Sequence, residues 1–411
     1  MEKQKCPEVR FKGFTLEWEE FKLENMFTFY RGESFSKSDI VKDGNFKCIH
    51  YGELFTKYNS VIDEVLSSTN IKGLNFGRIG DILMPSSDVT PDGLAKASCL
   101  KVDNVLLGGD INILRPVSLI SSVFISYQIN HSKEKILKCV TGTTVKHVYN
   151  KDLKELGYLI TAFKEQTQIG NFFQNLDQSI ALHEKKLAQT QNLKKAMLEK
   201  MFPKAGSKQP EIRLKGFSGD WHVQCIGDFT RVGSGARVHK EEWTSSGVPF
   251  FRSSDVVSSY KGNDNSKAYI SFSLFEKLIQ ISGRLEKDDL LITGGGSIGI
   301  PYLVQNDEPL YSKDADLIWI KKSSKFNSQY LYTFFSTSYF RSFIASISHI
   351  GTIAHYTIEQ VKATPVCLPS IEEQVQIGNF FKQLDGTLVL QKQQLQTLKN
   401  LKQAFLEKMF V

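Results

Sequence analysis

Cysteine is scarce in this 411-residue chain: Cys6, Cys48, Cys99, Cys139, Cys225 and Cys367 stand singly, with no Cys-x-x-Cys pair. Neither a zinc ribbon nor a dense disulfide framework is encoded, and a reducing compartment fits. Long hydrophobic runs are missing as well. The opening MEKQKCPEVRFKGF lacks the apolar core of a signal peptide, and Val117 to Ile129, the most apolar stretch, is too short and too interrupted by serine to span a bilayer. A cytoplasmic protein with no membrane partner is expected. Charge of one sign is not dominant either: 51 Lys and Arg against 44 Asp and Glu leave +7, which permits a polyanionic partner without requiring one.

Signatures of catalysis are equally thin. GGGSIG at Gly294 to Gly299 lacks the Gly-Lys-Ser/Thr ending of a phosphate loop, and no Gly-x-Gly-x-x-Gly opens a helix after a strand, so a flexible turn is the reading. Pro91-Asp92 would need a later Glu-x-Lys to imitate a nuclease core. The nearest such triplet, Glu184-Lys185-Lys186, falls inside a long helical pattern. None of the eleven prolines is followed by another, which removes the Asn/Asp-Pro-Pro-aromatic motif of amino-group methylation. No catalytic residue and no metal ligand set is assigned.

What the chain does have is size, an ordinary globular composition and an internal repeat. Its length allows two to three folding units, and 41% hydrophobic with 23% charged residues excludes disorder as the main state. The 38 residues from Glu165 to Phe202, EQTQIGNFFQNLDQSIALHEKKLAQTQNLKKAMLEKMF, align without a gap onto EQVQIGNFFKQLDGTLVLQKQQLQTLKNLKQAFLEKMF from Glu373 to Phe410. About half the positions are identical, beyond what chance supplies over such a length. A second match opens each half, PEVRFKGFTLEW at Pro7 to Trp18 and PEIRLKGFSGDW at Pro210 to Trp221, and the helix offset also pairs His147 with His355. These two histidines are assigned a structural role in the turn before each helix.

Each repeated segment is predicted to be one long helix. In the second copy Ile377, Phe381, Leu384, Leu388, Leu395, Leu398, Phe405 and Met409 follow a 4-3 alternation broken by Gln391 and Lys402. The first copy carries Ile169, Phe173, Leu176, Ile180, Leu187, Met197 and Met201 in the same frame, with His183, Thr190 and Lys194 polar. Pro203 closes the first helix. At about 1.5 Å per residue each helix is on the order of 55 Å long. One such helix alone would most simply pack on its own domain; two with a common heptad frame suit pairing with each other, antiparallel across an intervening domain.

Between openings and helices, residues 32–140 and 235–350 align poorly with each other. Both read as mixed α and β. Predicted strands are Phe46 to His50, Asp81 to Met84, Asn104 to Leu107 and Ile111 to Leu114 in the first body, with Val123 to Ile129 helical. The second offers strands Val248 to Phe251, Leu290 to Thr293, Tyr302 to Val304 and Leu317 to Ile320, and a helix over Gln329 to Ser336. Candidates for DNA contact are Arg31, Lys37, Lys42, Asn75 and Arg78, then Arg231, Arg237, His239, Lys240, Arg252, Lys261, Lys267 and Arg284. Arginine can pair with guanine O6 and N7, asparagine can read adenine, and lysine meets phosphate. Any one of them can equally be a solvated surface charge.

Taken together, two variable regions each followed by a helix beginning Glu-Gln-x-x-Ile-Gly-Asn-Phe-Phe resemble the specificity (S) subunit of type I restriction-modification systems. The likeness extends to FKGFTLEW, LKGFSGDW, GVPFFRSSDV, GSIG and VLLGGDINILRP. A proline usual before the Glu-Gln is present as Pro369 but is Thr161 in the first copy. The resemblance implies an α+β protein with two target-recognition domains (1–160 and 204–368) in pseudo-two-fold tandem repeat. Two spacer helices (161–203 and 369–411) would form an antiparallel coiled coil. It further implies reading of a bipartite, asymmetric double-stranded DNA target, docking of two adenine-N6 methyltransferase (M) subunits and of restriction (R) subunits, and no catalysis or cofactor in this chain. S-adenosylmethionine, ATP and Mg²⁺ would belong to the partners. The competing readings are a coiled-coil scaffold with no nucleic-acid role and a self-contained methyltransferase or nuclease.

Overall fold

The computed structural model describes residues 5–33, 35–73, 75–312, 317–347 and 355–411; the last residues of the second variable body, 348–350, lie outside them. The chain divides into two compact units, Met1–Lys185 with Gln393–Val411, and Lys186–Lys392. No helix among the described residues is long and apolar enough to cross a membrane.

In the first unit, one five-stranded sheet runs Phe27–Arg31, Ile111–Pro116, Ile82–Pro85, Ser98–Leu100, Val61–Ile62 in spatial order. A second runs Ile40–Val41, Ser67–Thr69, Phe46–Ile49, Val105–Leu107, Phe76–Gly77. The second unit repeats the plan with four strands each: Val232–Gly233, Leu317–Ile320, Leu290–Thr293, Pro301–Leu303, and Trp243–Thr244, Ala268–Ile270, Val248–Phe251, Tyr311–Ser312. The central strands Ile82–Pro85 and Leu290–Thr293 are buried along their whole length. That is why they read as unbroken apolar runs instead of alternating ones. Strands Val248–Phe251, Leu290–Thr293 and Leu317–Ile320 coincide with the predicted bounds, and the others agree within one or two residues. Helices Ser122–His131 and Ser328–Phe334 occupy the two predicted helical stretches.

The duplicated motifs build the same lock in each unit. Arg10 of the first opening donates Nε and Nη2 to the two carboxylate oxygens of Glu165, both at 2.7 Å. Arg213 of the second opening grips Glu373 the same way at 2.9 and 2.8 Å. The neighbouring glutamine then staples a second helix: Ser121 N–H donates to Gln166 Oε1 and Asn327 N–H to Gln374 Oε1, both at 2.9 Å. The glutamine amides donate to the carbonyls of Thr161 and Pro369, so the proline missing from the first copy leaves this turn unchanged. Gly170 and Gly378 complete the fit. A Cβ at Gly170 would stand 3.1 Å from Phe124 N, and one at Gly378 3.0 Å from Tyr330 N, so the long helix touches the N-terminus of the helix it staples.

The long helices span Phe163–Lys200 and Ile371–Met409. In the first unit the start of one meets the end of the other: Phe173 stacks on Phe410 at 5.6 Å, Phe172 meets Phe405 edge-on at 5.1 Å, Asp177 pairs with Lys402 at 2.6 Å, and Glu184 with Lys399 at 2.7 Å. In the second unit Phe381 packs on Phe202 and Asp385 pairs with Lys194. Residue numbers fall on one helix as they rise on the other, so the pairing is antiparallel. Asp177–Lys402 and Asp385–Lys194 are the same bridge made twice, once in each unit.

Candidate nucleic-acid interface

Of the five candidates in the first body, Arg31 ends the strand Phe27–Arg31, and its exposed guanidinium rests on Ser86 Oγ at 3.0 Å and Asp110 at 3.4 Å. It borders two clefts. One, of about 720 Å³, is lined with Arg31 by Phe35, Ser36, Asp39, His50 and Tyr51; the other, of about 390 Å³, by Asn112, Tyr149, Asn150 and Lys151. Lys37 follows Ser36 on an exposed turn, and Lys42 is exposed just beyond it. Asn75 and Arg78 are exposed at the far edge of the other sheet, where their backbone N–H groups donate to Glu33 and Asp81. Of the five, Arg31 alone lines these clefts, while Asn75, held on Glu33, and Arg78 flank the strand at the edge of the other sheet.

Sequence reasoning missed His50, Tyr51, Tyr149 and Lys151. His50 follows the strand Phe46–Ile49 and caps the helix Tyr51–Thr56; its Nδ1 accepts Gly52 N–H at 3.2 Å, which leaves the ring proton on Nε2. Burial pushes its pKa below the ordinary value, so the ring is neutral at pH 7 and offers a donor. Its ring lies 4.5 Å from that of Tyr51. Tyr149 is exposed, stacks on His147 at 5.9 Å and carries Lys151 Nζ over its face at 5.7 Å. Aromatic faces interleaved with cations suit nucleic acid, but these residues lie far apart in sequence and no periodicity announces them. His147 belongs to the short strand Lys146–His147, where its backbone also bridges to Thr141; His355 is exposed.

The eight candidates of the second body are spread over several elements. Arg237, His239 and Lys240 surround the turn before the strand Trp243–Thr244, and Lys267 precedes its partner strand Ala268–Ile270. Lys261 ends the helix Ser253–Lys261, while Arg231 and Arg284 are exposed beside Val232–Gly233 and after Phe272–Ser282. Arg284 donates to the Asp307 carbonyl at 2.9 Å. Arg252 is committed locally: Nε reaches Asp255 at 2.8 Å, the guanidinium lies over Trp243, and the hydrogen bond to Asp255 raises its pKa.

His50 and Arg252 occupy one architectural position. Each follows a strand, caps the next helix and gives its backbone N–H to an acid three residues on, Glu53 or Asp255. An ion pair with a buried carboxylate also recurs at the ends of matching strands, Arg115 with Asp81 at 2.7 Å and Lys321 with Asp289. The frame is thus duplicated down to its capping boxes, and the side chains it displays are not.

The heptad positions are sheltered throughout. Ile169, Phe173, Met201, Ile377, Phe381 and Met409 are buried, and Leu176, Ile180, Leu187, Met197, Leu384, Leu388, Leu395, Leu398 and Phe405 are half-buried. The polar members His183, Thr190, Lys194, Gln391 and Lys402 are half-buried too, whereas Leu182, Leu193, Val389, Leu390 and Leu401, off the frame, are exposed.

The family model described as the type I restriction modification DNA specificity domain matches twice, at residues 15–192 and 218–400. The chain belongs to this family. A curated relative, the type I restriction enzyme MjaVIII specificity subunit of Methanocaldococcus jannaschii, is 24% identical over 282 residues, 66% of this chain and 65% of the relative, just under two thirds of its length. The putative type I restriction enzyme MjaX specificity subunit of the same organism is 22% identical over 96% of this chain and 88% of the relative. Among solved structures, the crystal structure of a type I restriction-modification system S subunit from M. genitalium superposes with a TM-score of 0.65 at 18% identity, covering 99% of both chains. The two family matches take in both variable bodies and most of both long helices.

Proposed function

We propose that this specificity subunit reads a bipartite, asymmetric duplex sequence, each half through one variable body. Residues 1–160 and 204–368 would be the target-recognition domains, and 161–203 and 369–411 the helices that set the gap. One observation carries this reading: the same Arg–Glu lock and the same capping position recur in both units while the residue at that position differs, His50 in one and Arg252 in the other. A duplicated frame answers a repeated geometry, and unlike readers answer unlike bases. In the first body Arg31 would meet base edges between the two clefts, with Lys37 and Lys42 on phosphate. Catalysis, S-adenosylmethionine, ATP and Mg²⁺ would lie with two adenine-N6 methyltransferase subunits and with restriction subunits, in the cytoplasm.

The test is an exchange. Replacing residues 20–150 with the corresponding body of another specificity subunit is expected to change one half of the methylated sequence and leave the other half and the gap intact, read by genome-wide mapping of N6-methyladenine. Unchanged methylation would favour a scaffold without nucleic-acid role. The assembled complex is also expected to prefer its target over scrambled duplex by about 10³-fold or more, with affinity falling steeply as salt rises.

A further inference from the structure

Three neighbouring strands of one sheet bring their ends together in the first unit. Arg31 closes the strand Phe27–Arg31, Asp110 precedes the strand Ile111–Pro116, and Ser86 follows the strand Ile82–Pro85. Ladder pairing sets Asn112 between Arg31 and Met84, and Ser86 N–H donates to the Asp110 carbonyl at 2.9 Å. The sheet therefore fixes the backbone from which all three side chains start. Arg31 Nη2 donates to Ser86 Oγ at 3.0 Å and stands 3.4 Å from Asp110 Oδ1, while Nη1 and Nε have no protein partner among the described residues. The two charged side chains are about half exposed, at 52% and 46%. A guanidinium held this loosely keeps donors for a ligand.

The second unit has the frame without the group. Ile113 lies between Tyr30 and Leu83, and Trp319 lies between Gly233 and Leu291 in the same way. Counting on from those pairs, Ser234 stands where Arg31 does and Gly294 where Ser86 does. No cation remains at either position. A group present in one repeat and missing from the other serves what differs between the halves, not the shared frame.

Phosphate is a poor occupant, because Asp110 stands beside the cation and Asp39 lines the same cleft. A base edge is a better one. In the major groove a G·C pair presents N7 and O6 as acceptors and then the cytosine N4 amino group as donor, whereas an A·T pair presents acceptor, donor, acceptor. Two guanidinium nitrogens followed by a carboxylate oxygen are donor, donor, acceptor, which complements the first order and not the second. The 3.4 Å step from Nη2 to Oδ1 is also close to the about 2.9 Å between O6 and N4 in a Watson–Crick pair. We propose that Arg31 and Asp110 together read one G·C pair in the half-site of the first body, Arg31 on guanine O6 and N7 and Asp110 on cytosine N4. The assignment rests on the reading that this body contacts bases, and it names the base pair.

The complex with its cognate methyltransferase subunits is titrated with duplexes in which each position of the mapped target is changed in turn. The half belonging to the first body is the one that changes when residues 20–150 are exchanged. The wild type is expected to require a G·C pair at one position there. Arg31→Ala is expected to cut discrimination at that position by about fivefold or more, with the other positions and the gap retained. Asp110→Ala is expected to relax the same position. Circular dichroism unchanged from wild type shows that the variants fold, and Asp110→Ala, whose side chain has Arg31 as its partner, carries the test if Arg31→Ala does not. On phosphate the signs differ: removing the carboxylate would strengthen binding to every duplex, and Arg31→Ala would weaken all alike with a salt slope smaller by about one. That result overturns the assignment and leaves the bipartite reading intact. So do variants that discriminate as the wild type does, and a relaxed position that is not G·C or lies in the other half. A wild type that binds all duplexes equally overturns both.

Discussion

Arg10 and Glu165 are 155 positions apart, yet the carboxylate is fully buried and the guanidinium nearly so. Removing only the cation strands a negative charge in the core. Arg10→Ala is therefore expected to destabilise the first unit by about 3 kcal/mol or more, seen as a lower urea midpoint. Arg10→Gln with Glu165→Gln, which strands no charge, is expected to cost clearly less. Arg213→Ala should act in the same way on the second unit. The repeat made both partners visible as conserved-looking letters in the two openings and the two helix starts, since each motif occurs twice with the same residue types. Their pairing was not visible, because an ion pair between segments so far apart leaves no periodicity. The same limit applies to the displayed residues: Arg31 stood out as a cation, while His50, Tyr51 and Tyr149 join it only through the packing of two sheets.

At the scale of single elements, the long helices were the most legible feature, because a 4-3 pattern of apolar residues encodes both the helix and its sheltered face. Strands buried on both faces were legible as apolar runs. Short strands such as Ile40–Val41 and Val61–Ile62 carry too few residues to show a period, whereas the helix Phe272–Ser282, with Phe275 and Leu278 buried one turn apart, carried a legible apolar face that went unread. The glycines of the second long helix separate local preference from tertiary constraint. Gly386 faces open space, so Gly386→Ala gains helix propensity and is expected to stabilise by about 1 kcal/mol. A Cβ at Gly378 would stand 3.0 Å from Tyr330 N and 2.9 Å from the capping Asn327 Oδ1. Gly378→Ala pushes the stapled helix away and loses stability despite the same gain in propensity. Thermal melts of the two variants should move in opposite directions, and a rise for both would show that the close approach at Gly378 is slack.

Across the whole molecule, one connection exists in two chemical forms. In the second unit the motif Leu-Glu-Lys-Met-Phe runs directly into the next opening: Met201 and Phe202 are buried beside Trp221, and Ile212 N–H donates to the Lys200 carbonyl at 2.8 Å. In the first unit the same motif arrives from the other end of the sequence. Met409 and Phe410 are buried against Phe124 and Phe173, and Val9 N–H donates to the Lys408 carbonyl at 3.0 Å. Opening and closing motifs therefore meet in each unit, through a peptide linker in one and through packing alone in the other. A chain reopened within residues 204–209, with residue 411 joined to residue 5 by a short flexible linker, keeps every one of these contacts and exchanges only which junction is covalent. Closing such a short gap costs little loop entropy. The rearranged chain is expected to retain the circular dichroism spectrum and target sequence of the original, with a first unit stabilised and a second unit destabilised relative to it. Loss of folding would mean that the covalent link at 203–209 is required for the second unit, and that the two junctions are equivalent in geometry but not in strength.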